Sequence, residues 1–418
     1  MRKRLLAALT ACCLMLAGCT HETVVTQQQN RVEIKLSWWG NDTRTEYTIE
    51  GVRKFEELHP EIKVNVSYSE WSGYEARNRI QMVSATEADV MQINFGWLPE
   101  FSPDGNGYYD LAKLGEYIDL SVFNPELLNY GRRNGVINAV PIAMNTETIY
   151  INQTIFDRYG LGIPETWEDF ERAADVMAKD GVYPLSGASK SIWLLTIAYA
   201  EQVTGKPFLR DNGTLNFNAH DLQIMLEFYD RMVDKKVFPP VEYYDRLSID
   251  NGTYAGSVAW VSDAGNYYKK AIENGNKIVP APYPHDAACQ SGDGWYAKPA
   301  TLYAVSRNTD HPKESAMLLD FLLNSPEMAE LQGVEKGVPL SSKARETLLE
   351  HNMLTGLQYE ASLNMEENRN IAPMNSYIED AGMIDLFVDA CDQVIFDKAA
   401  SEDAARQLYQ ELRKKQSK

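Results

Sequence analysis

Any chemistry in this chain has to come from its acids, histidines or aromatic rings. No GxxxxGK[ST], HExxH, GxSxG or CxxC pattern occurs in its 418 residues. The six histidines (His21, His59, His220, His285, His311 and His351) are scattered, mostly beside Pro or Asp in apparent loops. That placement suits surface or capping roles better than metal ligation. The loop Asp104-Gly105-Asn106-Gly107-Tyr108-Tyr109-Asp110 approaches a calcium loop. It fails because Tyr109 stands where the turn glycine belongs and Gly115 where the bidentate glutamate belongs. The 59 acids could supply a glycosidase pair, but that chemistry needs two carboxyls facing each other across a cleft. No acid stands out in an apolar context after a strand, where a raised pKa is expected. The sequence therefore predicts no catalytic residue, no metal and no cofactor.

The aromatic residues say more. Leu36-Ser37-Trp38-Trp39-Gly40-Asn41-Asp42 ends a strand-like run with two tryptophans, which alternation sends to opposite faces. Trp71 stands in Ser69-Glu70-Trp71-Ser72-Gly73, and Trp97 follows Asn94-Phe95-Gly96. Trp260 precedes Val261-Ser262-Asp263, and Trp295-Tyr296 follows Gly292-Asp293-Gly294. Ligands of open α/β sheets bind beyond the carboxyl ends of strands. Rings placed there beside Asn, Asp and Ser give flat apolar platforms next to hydrogen-bonding groups. A sugar has that same mixture, a C–H face with hydroxyls around its edge. Trp167, directly after a helix cap, is assigned to packing.

The elements that must hold these rings can be read from periodicity. Val32 to Trp39 is a strand, and Ile49, Val52, Phe55 and Leu58 form a helical stripe ended by His59-Pro60. Ile62, Val64, Val66 and Tyr68 alternate as a second strand, and Asp89 to Phe95 is a third. Ala139 to Asn152 is an unusually long strand. Thr166 and Asp169 form a capping box opening a helix. Helices are also expected over Leu222–Val233, Lys269–Asn274, Pro312–Leu323 and much of Asp385–Lys415. The pattern is an open α/β sheet.

Met1-Arg2-Lys3-Arg4 and the apolar run Leu5 to Leu16 read as a secretory signal, too short to span a bilayer. Leu16-Ala17-Gly18-Cys19 resembles the bacterial lipobox, which implies cleavage before Cys19 and its lipidation. Residues 20–30 are polar and Gln-rich, as a tether would be. Cys289 and Cys391 would then remain, and two unpaired thiols are expected rather than a disulfide. The net charge of −19 argues against nucleic acid and polyanionic ligands.

The order of these segments resembles the extracellular solute-binding proteins of ABC importers, in the maltodextrin-binding-like group. The matching pieces are Leu36–Asp42, Asp89–Leu111, Val140–Asn152 with Pro164–Phe170, Ala304–Glu327 and Gly337–Ser342. The resemblance implies a two-lobed α/β fold, periplasmic-binding-protein-like, with a hinge and a central ligand cleft. One lobe would comprise residues 31–143 plus 283–342, the other 147–279 plus 343–418. Hinge strands would lie near 143–146 and 279–281. Asn145, Trp39, Asn41, Trp97 and Trp193 fall near family binding positions; Trp260, Asp263, Trp295 and Tyr296 occupy loops that often face the cleft. With Trp71 and Asn94 they make the expected ligand-binding set. Asn145 and Trp97 replace charged residues common in maltodextrin binders, which favours another oligosaccharide. The expected protein is a monomeric, lipid-anchored, non-enzymatic receptor outside the bacterial membrane, handing its cargo to a permease. The rivals are a secreted glycoside-acting enzyme and a receptor for a peptide or polyamine.

Overall fold

The computed structural model describes residues 31–416, apart from 211, 286–293 and 368–370. The signal segment, Cys19, the tether and Cys289 lie outside the described residues. β1 (Val32–Trp39) pairs in parallel with β2 (Ile62–Ser69) from Val32 against Ile62 to Trp39 against Ser69. The other edge of β1 takes β3 (Val90–Ile93), also parallel. Helix Asp42–Leu58 connects β1 to β2 and buries Tyr47, Val52 and Phe55, while Ile49 and Leu58 face out. The face shifts because Gly51 lets the helix lie close to Met328, whose sulfur would stand 2.6 Å from a Cβ there. β3 is shorter than the run Asp89–Phe95 because Asn94 turns the chain. Its Oδ1 accepts the Gly96 N–H at 2.9 Å and its carbonyl the Trp97 N–H at 3.0 Å.

After a small hairpin of β4 (Arg132–Arg133) and β5 (Val136–Ile137) comes β6 (Ala139–Asn152), buried along almost its whole length. β7 (Gly256–Trp260), β8 (Ile278–Pro280), β9 (Tyr296–Val305) and the short β10 (Ala372–Pro373) complete the strands. The sheet order is β2-β1-β3-β9-β6-β7, with β8 on β6 and β10 on β9. β6 is the joint between two sheet halves. Over 139–146 it pairs antiparallel with β9, and over 147–151 with β7. Register shifts between Pro141, Ala143 and Met144 mark the changeover, and such irregularities bend a strand.

Two large cores flank that joint. Val140 and Ile142 of β6 join one with Leu36, Trp38, Phe55, Tyr303 and Leu319. Ile149 and Ile151 join the other with Trp167, Phe170, Trp193, Phe228 and Phe387. The capping box of Thr166 and Asp169 is present at the start of helix Trp167–Met177. The long C-terminal stretch is two helices, Ala381–Ile395 and Ser401–Gln416, separated where Asp397 takes a positive φ of 53°. Tyr283, Trp295 and Tyr296 belong to the second core, and Ala344 and Leu348 of helix Ser342–Glu350 pack with Ala329 and Val338.

Candidate functional site

At the end of β1 the tandem tryptophans divide as alternation requires. Trp38 is fully buried and stacks on Tyr68 of β2, ring centroids 5.0 Å apart. Trp39 faces the other way, into a group with Trp71 at 5.0 Å, Tyr74 at 5.3 Å and Trp97 at 6.4 Å. Trp71 and Trp97 are stacked at 5.8 Å, and Tyr74 and Trp97 at 6.0 Å. Tyr74 is anchored from behind, its hydroxyl donating to the Gln92 carbonyl at 2.7 Å. Trp97 is buried and backs the group, so it is not itself an open platform. Trp71, 37% exposed, and the half-buried Trp39 are the rings that offer a face.

The two asparagines beside these rings have local duties. Asn41 caps helix Asp42–Leu58, accepting the Arg44 N–H at 2.9 Å, and Asn94 makes the turn already described. Their oxygens are thus engaged, and their amide N–H groups are what can meet a ligand.

A second group forms where β6 changes partners. Asn145 lies opposite Lys298 of β9, and Glu147 opposite Trp260 of β7. The Lys298 ammonium sits 4.5 Å from the Trp260 ring centroid, and Lys190 5.6 Å from it. Glu379 ion-pairs with both lysines. Burial opposes ionisation of Glu379, but the two lysines hold its carboxyl below the usual range. Burial also lowers Lys298, against the pull of Glu379, and raises Asp263 against the charge of Arg44.

Glu147 overturns the expectation that no acid stands in an apolar strand. It is 2% exposed, takes the Ser191 hydroxyl at 3.0 Å on one oxygen, and leaves the other without a hydrogen-bond partner. Burial pushes its pKa up to about 8, against the Ser191 hydrogen bond and the charge of Lys190, so it is protonated at neutral pH. The signal was available in Met144-Asn145-Thr146-Glu147-Thr148-Ile149, a lone acid inside a strand.

Four of the expected residues, Trp193, Trp295, Asn145 and Tyr296, are engaged within the fold or lie apart from the ring group. Trp193 is fully buried, donates its N–H to the Ile378 carbonyl at 2.9 Å and packs against Phe208 and Phe387. A ring enclosed on every side has no face for a sugar. Trp295, also buried, stacks on Trp167 at 6.4 Å and meets Tyr283 at 5.0 Å. Asn145 spends both ends of its amide on Ser262, donating to Oγ at 2.9 Å and accepting the backbone N–H at 3.1 Å. It ties the hinge strand to the exit of β7. Tyr296 donates to Glu201 and lines a cavity of about 340 Å³ with Lys206, Arg210 and Asn375, apart from the tryptophans.

A cavity of about 610 Å³ opens between the two halves, a size suited to a small ligand. Phe95, Tyr130, Arg132 and Arg133 line it on one side, Asn375 and Tyr377 on the other. Phe95 precedes Trp97 by two residues and meets Tyr130 edge-on at 6.0 Å. Tyr377 shares one tight turn, Ser376–Glu379, with the acid clamped by Lys190 and Lys298. The cavity is therefore contiguous in chain with both groups. Tyr130, Arg132 and Arg133 went unnoticed in the sequence because a two-residue hairpin carries no periodic signal.

No group of three or more metal-ligating side chains, and no helix long and apolar enough to cross a membrane, occurs among the described residues. Two lobes on a shared strand, with rings and hydrogen-bonding groups gathered at the strand ends between them, define a hinged ligand-binding protein. The chain belongs to the bacterial extracellular solute-binding proteins, whose family model matches residues 41–329. A periplasmic oligogalacturonide-binding protein from Yersinia enterocolitica, solved with saturated digalacturonic acid, is 30% identical. It superposes with a TM-score of 0.82 over 92% of this chain and 98% of that one. A de novo designed cysteine esterase shows the same fold at 30% identity and a TM-score of 0.83, again over 92% and 98% of the two chains. The melibiose/raffinose/stachyose-binding protein of Bacillus subtilis is 22% identical over 246 residues, 58% of this chain and 50% of that protein.

Proposed function

We propose that this protein is a receptor that captures an oligosaccharide between its lobes and delivers it to the permease of an ABC importer. The observation that carries the reading is the ring group at the ends of β1 and β3, with Trp39 and Trp71 offering their faces. Covering apolar ring surface with the C–H face of a sugar is favourable, at about 25 cal/mol per Å². The Asn41 and Asn94 amides, Trp260 and Asp263 supply the polar and aromatic edge around that platform. The sugar-binding names of the Yersinia and Bacillus proteins support the same cargo class.

Cys19 is the lipid anchor in this reading, and residues 20–30 join it to a monomeric receptor at the outer face of the membrane. Closure follows if cargo touches both lobes, since only a ligand with differential affinity can shift that equilibrium. The bends at Pro141–Met144 in β6 are where the lobes would pivot. No covalent step is needed. Glu147, the one acid with a raised pKa on the hinge strand, is enclosed and out of reach of a glycosidic oxygen.

Thermal unfolding of the purified protein against a panel of oligosaccharides tests this. A ligand that binds only the folded state stabilises it by about 2.7 kcal/mol at a hundredfold over its dissociation constant. A shift with the sugar recovered intact supports the receptor. Shifts with peptides or amines alone, or release of sugar fragments, would refute it.

A further inference from the structure

The space between the lobes does not stop at its larger cavity. That cavity, of about 610 Å³, and the one of about 340 Å³ beside Tyr296 share two lining residues, Pro373 and Asn375. Ala372 lines the smaller cavity, and Ser376 and Tyr377 the larger, so one stretch of chain forms the floor of both. A second wall does the same, with Arg210 at the smaller cavity and Asn212 at the larger. Floor and wall are tied together where the cavities meet. The Asn375 amide donates to the Arg210 carbonyl at 3.2 Å and accepts the Tyr377 N–H at 3.1 Å.

The floor is fixed in place. Ala372 and Met374 donate their N–H groups to the Trp295 and Ala297 carbonyls at 2.9 and 2.8 Å, which fastens the stretch along β9. Beyond it, the Tyr377 ring lies on Gly213, whose φ is +79°; a Cβ there would stand 2.4 Å from the ring. The ring is thereby backed by main chain and still 55% exposed, across the larger cavity from Phe95 and Tyr130. Glu379, at the end of the same turn, is held by Lys190 and Lys298. The smaller cavity is polar instead. Its Tyr296 hydroxyl donates to Glu201 at 2.5 Å, Lys206 pairs with Asp221, and Arg210 donates to the Leu215 carbonyl at 2.6 Å.

Hydroxyl groups both give and take hydrogen bonds, so an acid, cations and a phenol side by side suit a polyhydroxylated group better than an apolar one. Two cavities end to end along one floor fit an extended ligand rather than a compact one. We propose that the cargo is a linear oligosaccharide long enough to fill both cavities. It lies across Tyr377, passes over Pro373 and Asn375, and seats its terminal sugar beside Glu201 and Tyr296. This rests on the oligosaccharide reading above and deepens it by assigning the cargo's shape and length. Affinity then grows with chain length until the smaller cavity is filled.

The test is titration calorimetry with linear oligomers of glucose, xylose, galactose and galacturonic acid, from disaccharide to hexasaccharide. In the series that binds, affinity should rise beyond the disaccharide by roughly 10-fold, what one or two neutral hydrogen bonds supply, and then level off. Pro207 lines the smaller cavity, is exposed and has no N–H to lose, so Pro207→Trp fills that space without breaking a hydrogen bond. It should bring the long oligomers down to the affinity of the disaccharide and leave the disaccharide unchanged. Arg210→Gln should act in the same direction to a smaller extent, and it decides if Pro207→Trp does not fold. Tyr377→Ala should weaken every length alike, because the shortest oligomer already lies on that ring. Affinity highest at the disaccharide, or Pro207 and Arg210 variants that change no length or all lengths equally, would overturn the extended seat while leaving a sugar receptor. Binding of no sugar of any kind would instead remove the oligosaccharide reading beneath it.

Discussion

Replacing Glu147 by Gln should stabilise the protein, and by more as pH rises. The carboxyl is enclosed beside Ser191, with one oxygen unpaired. In the unfolded chain it loses its proton near pH 4.5, whereas in the folded protein burial holds the proton until about 8. Unfolding therefore releases a proton throughout that window, and stability falls as pH climbs through it. Each unit of separation is about 1.4 kcal/mol, so the cost at pH 7 is about 3 kcal/mol, and nearer 4–5 kcal/mol above pH 8. Gln keeps an oxygen for the Ser191 hydroxyl and cannot ionise, so it escapes the cost. Denaturant unfolding of wild type and Glu147→Gln at pH 5, 7 and 8.5 would measure it. The two proteins should differ little at pH 5 and diverge by about 2–4 kcal/mol by pH 8.5. A difference that is constant across the three pH values would refute the argument, because it would mean that Glu147 ionises alike in both states.

Trp71→Ala and Trp193→Ala should separate binding from packing. Covering about 80 Å² of ring at about 25 cal/mol per Å² is about 2 kcal/mol, so Trp71→Ala should weaken sugar binding roughly thirtyfold with little loss of stability. Trp193→Ala should cost about 3–5 kcal/mol of stability, through the cavity it leaves and the orphaned Ile378 carbonyl, as chemical denaturation would record. The thiol of Cys391 is fully buried and pushed well up by that burial, so mass-mapped alkylation should label it only after unfolding. Arg345→Gln, which removes the bidentate contact to Glu366 at 3.0 and 3.2 Å beside the joint, should raise sugar affinity if that pair holds the lobes apart. Unchanged affinity would make it a surface ion pair of the ordinary weak kind.

The elements were largely legible because their signals are local. Alternation in Ile62–Tyr68, the Thr166–Asp169 box and the long strand-like run of Ala139–Asn152 are local signals, and each produced the element it implies. The rings were harder, because a tryptophan's neighbours in sequence do not say what covers it. Trp39 and Trp71 meet across 32 positions, while Trp193 falls near a family binding position but Phe208 and Phe387 close over it. What holds Asn145 was hidden for a related reason. Its partner Ser262 is 117 residues away, in the turn that follows β7, brought beside it only by the fold.

Charge was the least legible property, because a sum over the chain says little about a cleft. The −19 total is carried by acids distributed over a large surface, where each is solvated and screened. At the joint two separate arrangements offset it. Glu147 is neutral through burial, and Glu379 is shared between two lysines. Neither is encoded in residue counts, and both depend on contacts between distant segments.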